Sequence, residues 1–165
     1  MSVVSDYAEL REFLKNEFNF DDREDVHEKV LSIIGYFSEA GFVTQSVSGG
    51  YKLTKRGFGK MPIWAALAKT FIESYWIAAM AMGIGRKKAG TGDALLKRIS
   101  YMGKRYHKLG TIEHIESLSQ INFKNAVTLI NKKILKTADG SGDDRHDFEE
   151  ISQFTKRLYN FSHYG

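Results

Sequence analysis

Five histidines, His27, His107, His114, His146 and His163, are the side chains of this sequence best suited to proton transfer or metal binding. Their spacing argues against both. None stands in a His-x3-His or His-Glu-x2-His arrangement, the helical spacings that aim two imidazoles at one zinc ion. His107 and His114 are two turns apart, close enough to face each other if one helix held both. Serines are plentiful, but no Gly-x-Ser-x-Gly elbow presents one as a nucleophile. The sequence has no cysteine, which excludes disulfides, thiolate metal sites and a cysteine nucleophile. The acid pairs Asp143-Asp144 and Glu149-Glu150 fall where a helix begins, and there acids complement the helix dipole. Glu73 is different, because it interrupts an apolar run with Lys69 one turn before it. That spacing predicts a shielded structural pair, Lys69–Glu73, rather than an acid–base couple. The stretch Gly85-x4-Gly90-Thr91 invites comparison with a phosphate-binding loop. However, Thr91 stands where the lysine belongs, and the loop follows a helix instead of a strand. No catalytic, cofactor-binding or metal-ligating residue is assigned, and no small-molecule site is evident.

The elements that would position these residues are mostly helical. The run 65–82 is apolar on nearly every side, and such a helix has to be covered all round by protein or by lipid. Pro62 suits its first position. A helix over 61–82 would extend roughly 33 Å, long enough to cross a bilayer. A central lysine and a central glutamate each cost about 2.5–3.5 kcal/mol on insertion, so a core helix is the better reading. Tyr75 and Trp76 are then core or interface aromatics. Glycine-rich residues 83–93 form a basic connector carrying Arg86, Lys87 and Lys88. The helix 93–109 puts Leu95, Leu96, Ile99, Met102 and Tyr106 on one face. Lys97, Arg98, Lys104, Arg105 and Lys108 fall on the other, which is either the solvated face of a core helix or the pattern of a helix that meets anionic lipid headgroups or nucleic-acid phosphates. Thr111 is expected to cap a short helix, and Ser119 a longer one with Phe123, Val127 and Ile130 inward. After turn chemistry at 136–143, a last helix carries Phe148, Ile151, Phe154 and Leu158 as its core stripe.

Upstream, Ser5 is expected to cap a helix with Tyr7, Leu10, Phe13 and Leu14 inward. A second helix from about Arg23 carries Val26, Val30, Ile33, Ile34 and Phe37 and ends at Gly41. A hairpin turning at Gly49-Gly50 follows. The expected architecture is therefore mostly α: a winged-helix-like helix–helix–hairpin unit over 1–60, then a helical bundle around the long central helix over 61–165. At 165 residues the two make one compact domain. The net charge of +4 hides an uneven distribution. Acids dominate residues 1–30, whereas 83–109 hold eight cations against Asp93 alone. The N-terminus lacks the basic and apolar regions of a secretory signal, which reads as a cytoplasmic chain.

Three segments in order resemble one family. Lys69-Thr-Phe-Ile-Glu-Ser-Tyr-Trp76 looks like a Lys-Thr-Phe-x-Glu-Ser-Tyr-Trp signature. Leu96-Lys-Arg-Ile-Ser-Tyr-Met-Gly-Lys-Arg-Tyr-His-Lys108 and Glu116-Ser-Leu-Ser-Gln-Ile-Asn-Phe-Lys-Asn-Ala-Val127 are similar to two later ones. All three occur in the C-terminal region of bacterial glycerol-3-phosphate acyltransferase-like proteins, and the likeness runs from about residue 40 to the end. Such enzymes transfer an acyl chain to a glycerol-phosphate hydroxyl with a His-x4-Asp motif. Here the fifth residues after His27, His107, His114 and His146 are Ser32, Ile112, Ser119 and Ile151, and His163 is too near the end. The resemblance therefore implies a non-catalytic C-terminal domain, inactive alone. Its expected partner is the catalytic acyltransferase domain of the same polypeptide. An anionic surface, at the inner membrane, is a further partner for Arg86, Lys87, Lys88, Lys97, Arg98, Lys104, Arg105 and Lys108. The rivals are a winged-helix DNA-binding regulator, with Lys52, Lys55, Arg56 and Lys60 near its wing, and a protein-interaction adaptor. Nucleic acid is disfavoured because the first two helices are acidic where a recognition helix should be basic.

Overall fold

The computed structural model of the chain describes residues 3–47, 49–83, 92–133 and 144–163. Among them are six α-helices and two short strands: α1 (Val3–Phe13), α2 (Val26–Glu39), β1 (Val43–Gln45), β2 (Tyr51–Leu53), α3 (Lys55–Gly83), α4 (Gly92–Lys108), a 3₁₀ turn (Ile115–Leu118), α5 (Gln120–Lys133) and α6 (Asp144–His163). The fold is mostly helical, as expected. Arg86, Lys87, Lys88 and the turn 136–143 lie outside the described residues. The chain divides into two compact units, Met1–Leu67 and Ala68–Gly165, each described by itself.

In the first unit, α1 already includes Ser5 at its start, so that residue is helical and not a cap. Arg11 fastens the loop beyond, donating to the carbonyl of Asp21 at 2.5 Å and lying over the ring of Phe20. The second helix starts later than Arg23 because Asp25 supplies the cap: its side chain accepts from the Glu28 amide at 2.8 Å. It ends as expected at Gly41, whose φ of 71° allows two closing bonds, Gly41 N–H to Ser38 O at 3.0 Å and Phe42 N–H to Phe37 O at 2.8 Å. That motif delivers Phe42 into an aromatic cluster with Phe37 and Trp64, the last two stacked at 5.9 Å. Strands β1 and β2 pair antiparallel, Thr44 opposite Lys52.

The long helix does not begin at Pro62. Thr54 starts it at Lys55, its Oγ1 accepting from the Gly57 amide at 3.0 Å and donating to the Gly41 carbonyl at 2.6 Å. Pro62 therefore lies within the helix, where it removes one helical hydrogen bond. Gly57 is required for this early start, since a Cβ there would stand 2.0 Å from the Phe42 carbonyl oxygen.

The second unit holds most of the buried apolar side chains. Its part of α3 is covered on nearly every side from Ile72 to Met82, with Tyr75, Ile77, Ala78 and Ala79 inaccessible. Trp76 is buried against Tyr106, ring centroids 5.0 Å apart. Leu95 and Ile99 of α4, Phe123, Ala126, Leu129 and Ile130 of α5, and Ile151, Phe154 and Leu158 of α6 are buried as well. Phe148 is not: it is exposed, because at 3.6 residues per turn it lies to one side of the Ile151–Leu158 stripe. The coverage expected for the whole helix thus holds for its second half. Ile63 and Leu67 are exposed.

Candidate functional site

Glu73 is 2% exposed and carries four contacts on its carboxylate. The Glu113 amide donates to Oε1 at 3.1 Å. The His114 amide at 3.4 Å, His114 Nδ1 at 3.3 Å and the Ser117 hydroxyl at 2.5 Å all reach Oε2. A carboxylate only accepts, so these bonds place the ring hydrogen of His114 on Nδ1. The next residue continues the attachment. Ser74 Oγ donates to the Ser117 carbonyl at 2.6 Å, with the Thr70 carbonyl at 2.9 Å, and receives the Asn122 side chain at 3.4 Å. One turn of α3 thereby holds the segment 113–117 through five hydrogen bonds and ties in the start of α5. Among the described residues, every buried side-chain nitrogen or oxygen has a hydrogen-bond partner.

The expected Lys69–Glu73 pair is not how these two charges are met. Lys69 Nζ sits 2.8 Å from Glu113 Oε2, and Glu73 turns inward to the 113–117 segment. Lysine preceding glutamate by four residues is the less favourable order on a helix, and buried amides offer Glu73 better partners. The Lys69 ammonium beside Glu113 holds that carboxyl below its ordinary range. Partial burial opposes the shift, and His114 and His163 reinforce it.

Serine, histidine and carboxylate meet here in the wrong order for nucleophilic catalysis. A serine nucleophile needs histidine between itself and the acid; here the acid lies between, and Ser117 is inaccessible. The arrangement works as a clamp. His107 and His114 do not face each other: His107 Nδ1 donates to the Ile112 carbonyl at 3.1 Å, while His114 turns to Glu73. Nor does Thr111 cap the short helix, because the 3₁₀ turn starts later and has His114 at its N-cap position. No group of three or more His, Asp or Glu among the described residues could hold a metal ion.

The clamp positions α4. That helix ends at Gly110 with φ 72°, the chain turning back through Thr111 N–H to Tyr106 O at 3.0 Å. Leu95, Ile99 and Gly103 are buried, and Leu96, Met102 and Tyr106 are half-buried beside them. Lys97, Lys104, Arg105 and Lys108 are exposed; Arg98 is half-buried, at the edge of that face. Tyr101 stands 70% exposed among the lysines, a residue the sequence reading passed over. Gly103 was passed over too. A Cβ there would come within 2.6 Å of Leu118 Cδ2 and 3.4 Å of Ile77 Cδ1, so the glycine lets α4 approach α3 and the 3₁₀ turn. The available signal was a glycine inside an amphipathic helix, on its apolar side.

No helix among the described residues is long and apolar enough to cross a membrane. No curated protein and no solved structure matches the chain. The family model of the glycerol-3-phosphate acyltransferase C-terminal region matches residues 1–138. The match starts at the first residue, not near residue 40, so it includes α1 and α2 as well as the clamp and α4. The chain belongs to this family.

Proposed function

We propose that this chain is the non-catalytic C-terminal domain of a glycerolipid acyltransferase, supporting the catalytic domain and its association with a membrane surface during phospholipid synthesis. The family match over residues 1–138 carries the reading. The clamp supports it, since its serine, histidine and carboxylate are spent on one another. The partner in this reading is the catalytic acyltransferase domain of the same polypeptide, with α4 turned to anionic lipid.

The charge distribution favours that orientation. Residues 1–67 hold eight Lys and Arg against ten Asp and Glu, whereas residues 68–165 hold sixteen against ten. Each exposed cation of α4 held near an anionic surface contributes about 1 kcal/mol at low ionic strength. Four together suffice for measurable adsorption, and salt weakens it by screening. The test has two arms. Purified chain is expected to give no acyl transfer to glycerol 3-phosphate from acyl-CoA; turnover abolished by a substitution within the chain would refute the non-catalytic reading. It is also expected to co-sediment with phosphatidylglycerol-rich vesicles, and Lys97→Gln, Lys104→Gln, Arg105→Gln and Lys108→Gln together should weaken binding with helicity unchanged. Equal binding by that variant would leave α4 a solvated face.

A further inference from the structure

The cations of α4 are arranged around one exposed phenol. Residues three and four positions apart are neighbours on a helix surface, with Cβ atoms about 5–6 Å apart. For Tyr101 those positions are Lys97, Arg98, Lys104 and Arg105, and every one is a cation. At 3.6 residues per turn Lys97, Lys104 and Lys108 make a row along one flank of Tyr101, and Arg98 and Arg105 a row along the other. Arg98 is half-buried and already engaged. The other four are exposed, and among the described residues none of them meets an acid, whereas Arg11, Lys15, Arg23, Lys29 and Lys69 all do. Asp93, the one acid of α4, stands one turn before Lys97, at the far end from Lys104 and Lys108. Of the elements packed on α4, α5 adds Lys124 and Lys132 and no acid. The 3₁₀ turn, which carries Glu116, packs at Gly103 on the opposite side of the helix from Tyr101.

Like charges three and four residues apart repel, so Lys104, Arg105 and Lys108 weaken α4 until an anion joins them. The arrangement selects the kind of anion. A phosphodiester carries a single charge and is substituted on two sides, and cations spread evenly along a helix would meet such a layer equally well. Here several donors surround one point. A terminal phosphate matches that, with a charge of about −1.5 to −2 at neutral pH and three acceptor oxygens. Neighbouring cations favour its second ionisation, which strengthens the match. The Tyr101 hydroxyl adds a neutral donor between the two rows.

We propose that Tyr101, Lys97, Lys104, Arg105 and Lys108 form a site for a lipid whose headgroup ends in a phosphomonoester, the phenol donating to one phosphate oxygen and the cations to the others. This rests on the membrane association proposed above and names the lipid class that α4 prefers. Adsorption by charge alone depends on surface potential and not on headgroup identity. A site of this kind distinguishes two anionic lipids at the same surface potential.

The test compares phosphatidylcholine vesicles containing phosphatidate with vesicles containing phosphatidylglycerol, the two adjusted to equal zeta potential. The whole chain is expected to bind the phosphatidate vesicles about fivefold more tightly or better. Lys104→Gln with Arg105→Gln should bring that ratio close to one. Lys124→Gln with Lys132→Gln removes the same charge from α5 and should weaken binding to both lipids alike, leaving the ratio unchanged. Tyr101→Phe, which keeps the ring, should lower the phosphatidate affinity by about two- to tenfold and leave the phosphatidylglycerol affinity unaltered. Circular dichroism checks that each variant keeps its helices. A ratio near one for the parent chain, or one that survives Lys104→Gln with Arg105→Gln, would overturn the site and leave the membrane reading intact. No binding to either vesicle at low salt would remove the membrane reading itself. Saturable binding of glycerol 3-phosphate without vesicles, seen as amide shifts over residues 97–108, would overturn lipid as the source of the phosphate.

Discussion

Replacing Glu73 separates the clamp from the ion pair that the sequence suggests. Glu73→Ala removes the acceptor for the Glu113 and His114 amides, the Ser117 hydroxyl and the His114 ring. A buried donor left without a partner costs about 1–3 kcal/mol. Relaxation and entering water will spare part of that sum, so a loss on the order of 3–5 kcal/mol is expected. Removing Lys69 should be mild by comparison. Its side chain is 23% exposed and its partner Glu113 63% exposed, a setting in which ion pairs are worth about 0–1 kcal/mol. The decisive measurement is a pair of double-mutant cycles. Glu73→Gln with Ser117→Ala should couple by about 1–2 kcal/mol, because both substitutions act on one short hydrogen bond. Glu73→Gln with Lys69→Met should couple by less than about 0.5 kcal/mol. Urea unfolding followed through Trp76 reads the second unit, and a Trp64→Phe background silences the first. Equal couplings, or a Glu73→Ala protein as stable as the parent, would refute the clamp.

Two further outcomes follow from the same unit. Gly103→Ala forces the half-buried Leu118 side chain to turn aside, so the gain of about 1 kcal/mol that alanine brings to a helix should be cancelled or reversed there. Gly35→Ala, inside α2 with no atom within 4 Å of the new Cβ, should be neutral or stabilising; thermal melts compare the two, and equal losses would remove the close approach as the cause. Glu113, held low chiefly by the hydrogen bond from Lys69, should titrate below an ordinary glutamate in carboxyl-detected NMR. A depressed folded pKa makes this pair's contribution complete above the unfolded carboxyl value and lost as pH falls through the folded one. Lys69→Met should raise the Glu113 titration midpoint, and an unchanged midpoint would exclude Lys69 as the cause.

What was legible in the sequence was what period and local chemistry encode. The α2 stripe, the Gly41 stop, the apolar face of α4 and the Ser119 start of α5 depend on residues within a few positions of one another, and all appear. Glu73 was recognisable as a buried acid because it interrupts an apolar run. Its partners were not, since they lie 40 and more residues away and consist largely of backbone amides, which have no residue signature. Lys69 offered a partner at the right spacing, and spacing cannot report that two helix-borne charges turn different ways.

The start of α3 went unread for a related reason. Gly57, Gly59 and Pro62 are poor helix formers, so propensity places the helix start at Pro62. Tertiary contact overrides it: Thr54 caps the first turn while gripping the Gly41 carbonyl, and Gly57 fits against Phe42 where any side chain would collide. A helix that begins seven residues earlier carries Phe58 and Lys60 on the same rigid element as Ile63 and Leu67. The early start is therefore set by the contacts of Thr54 and Gly57 with residues 41 and 42, which no local propensity reports.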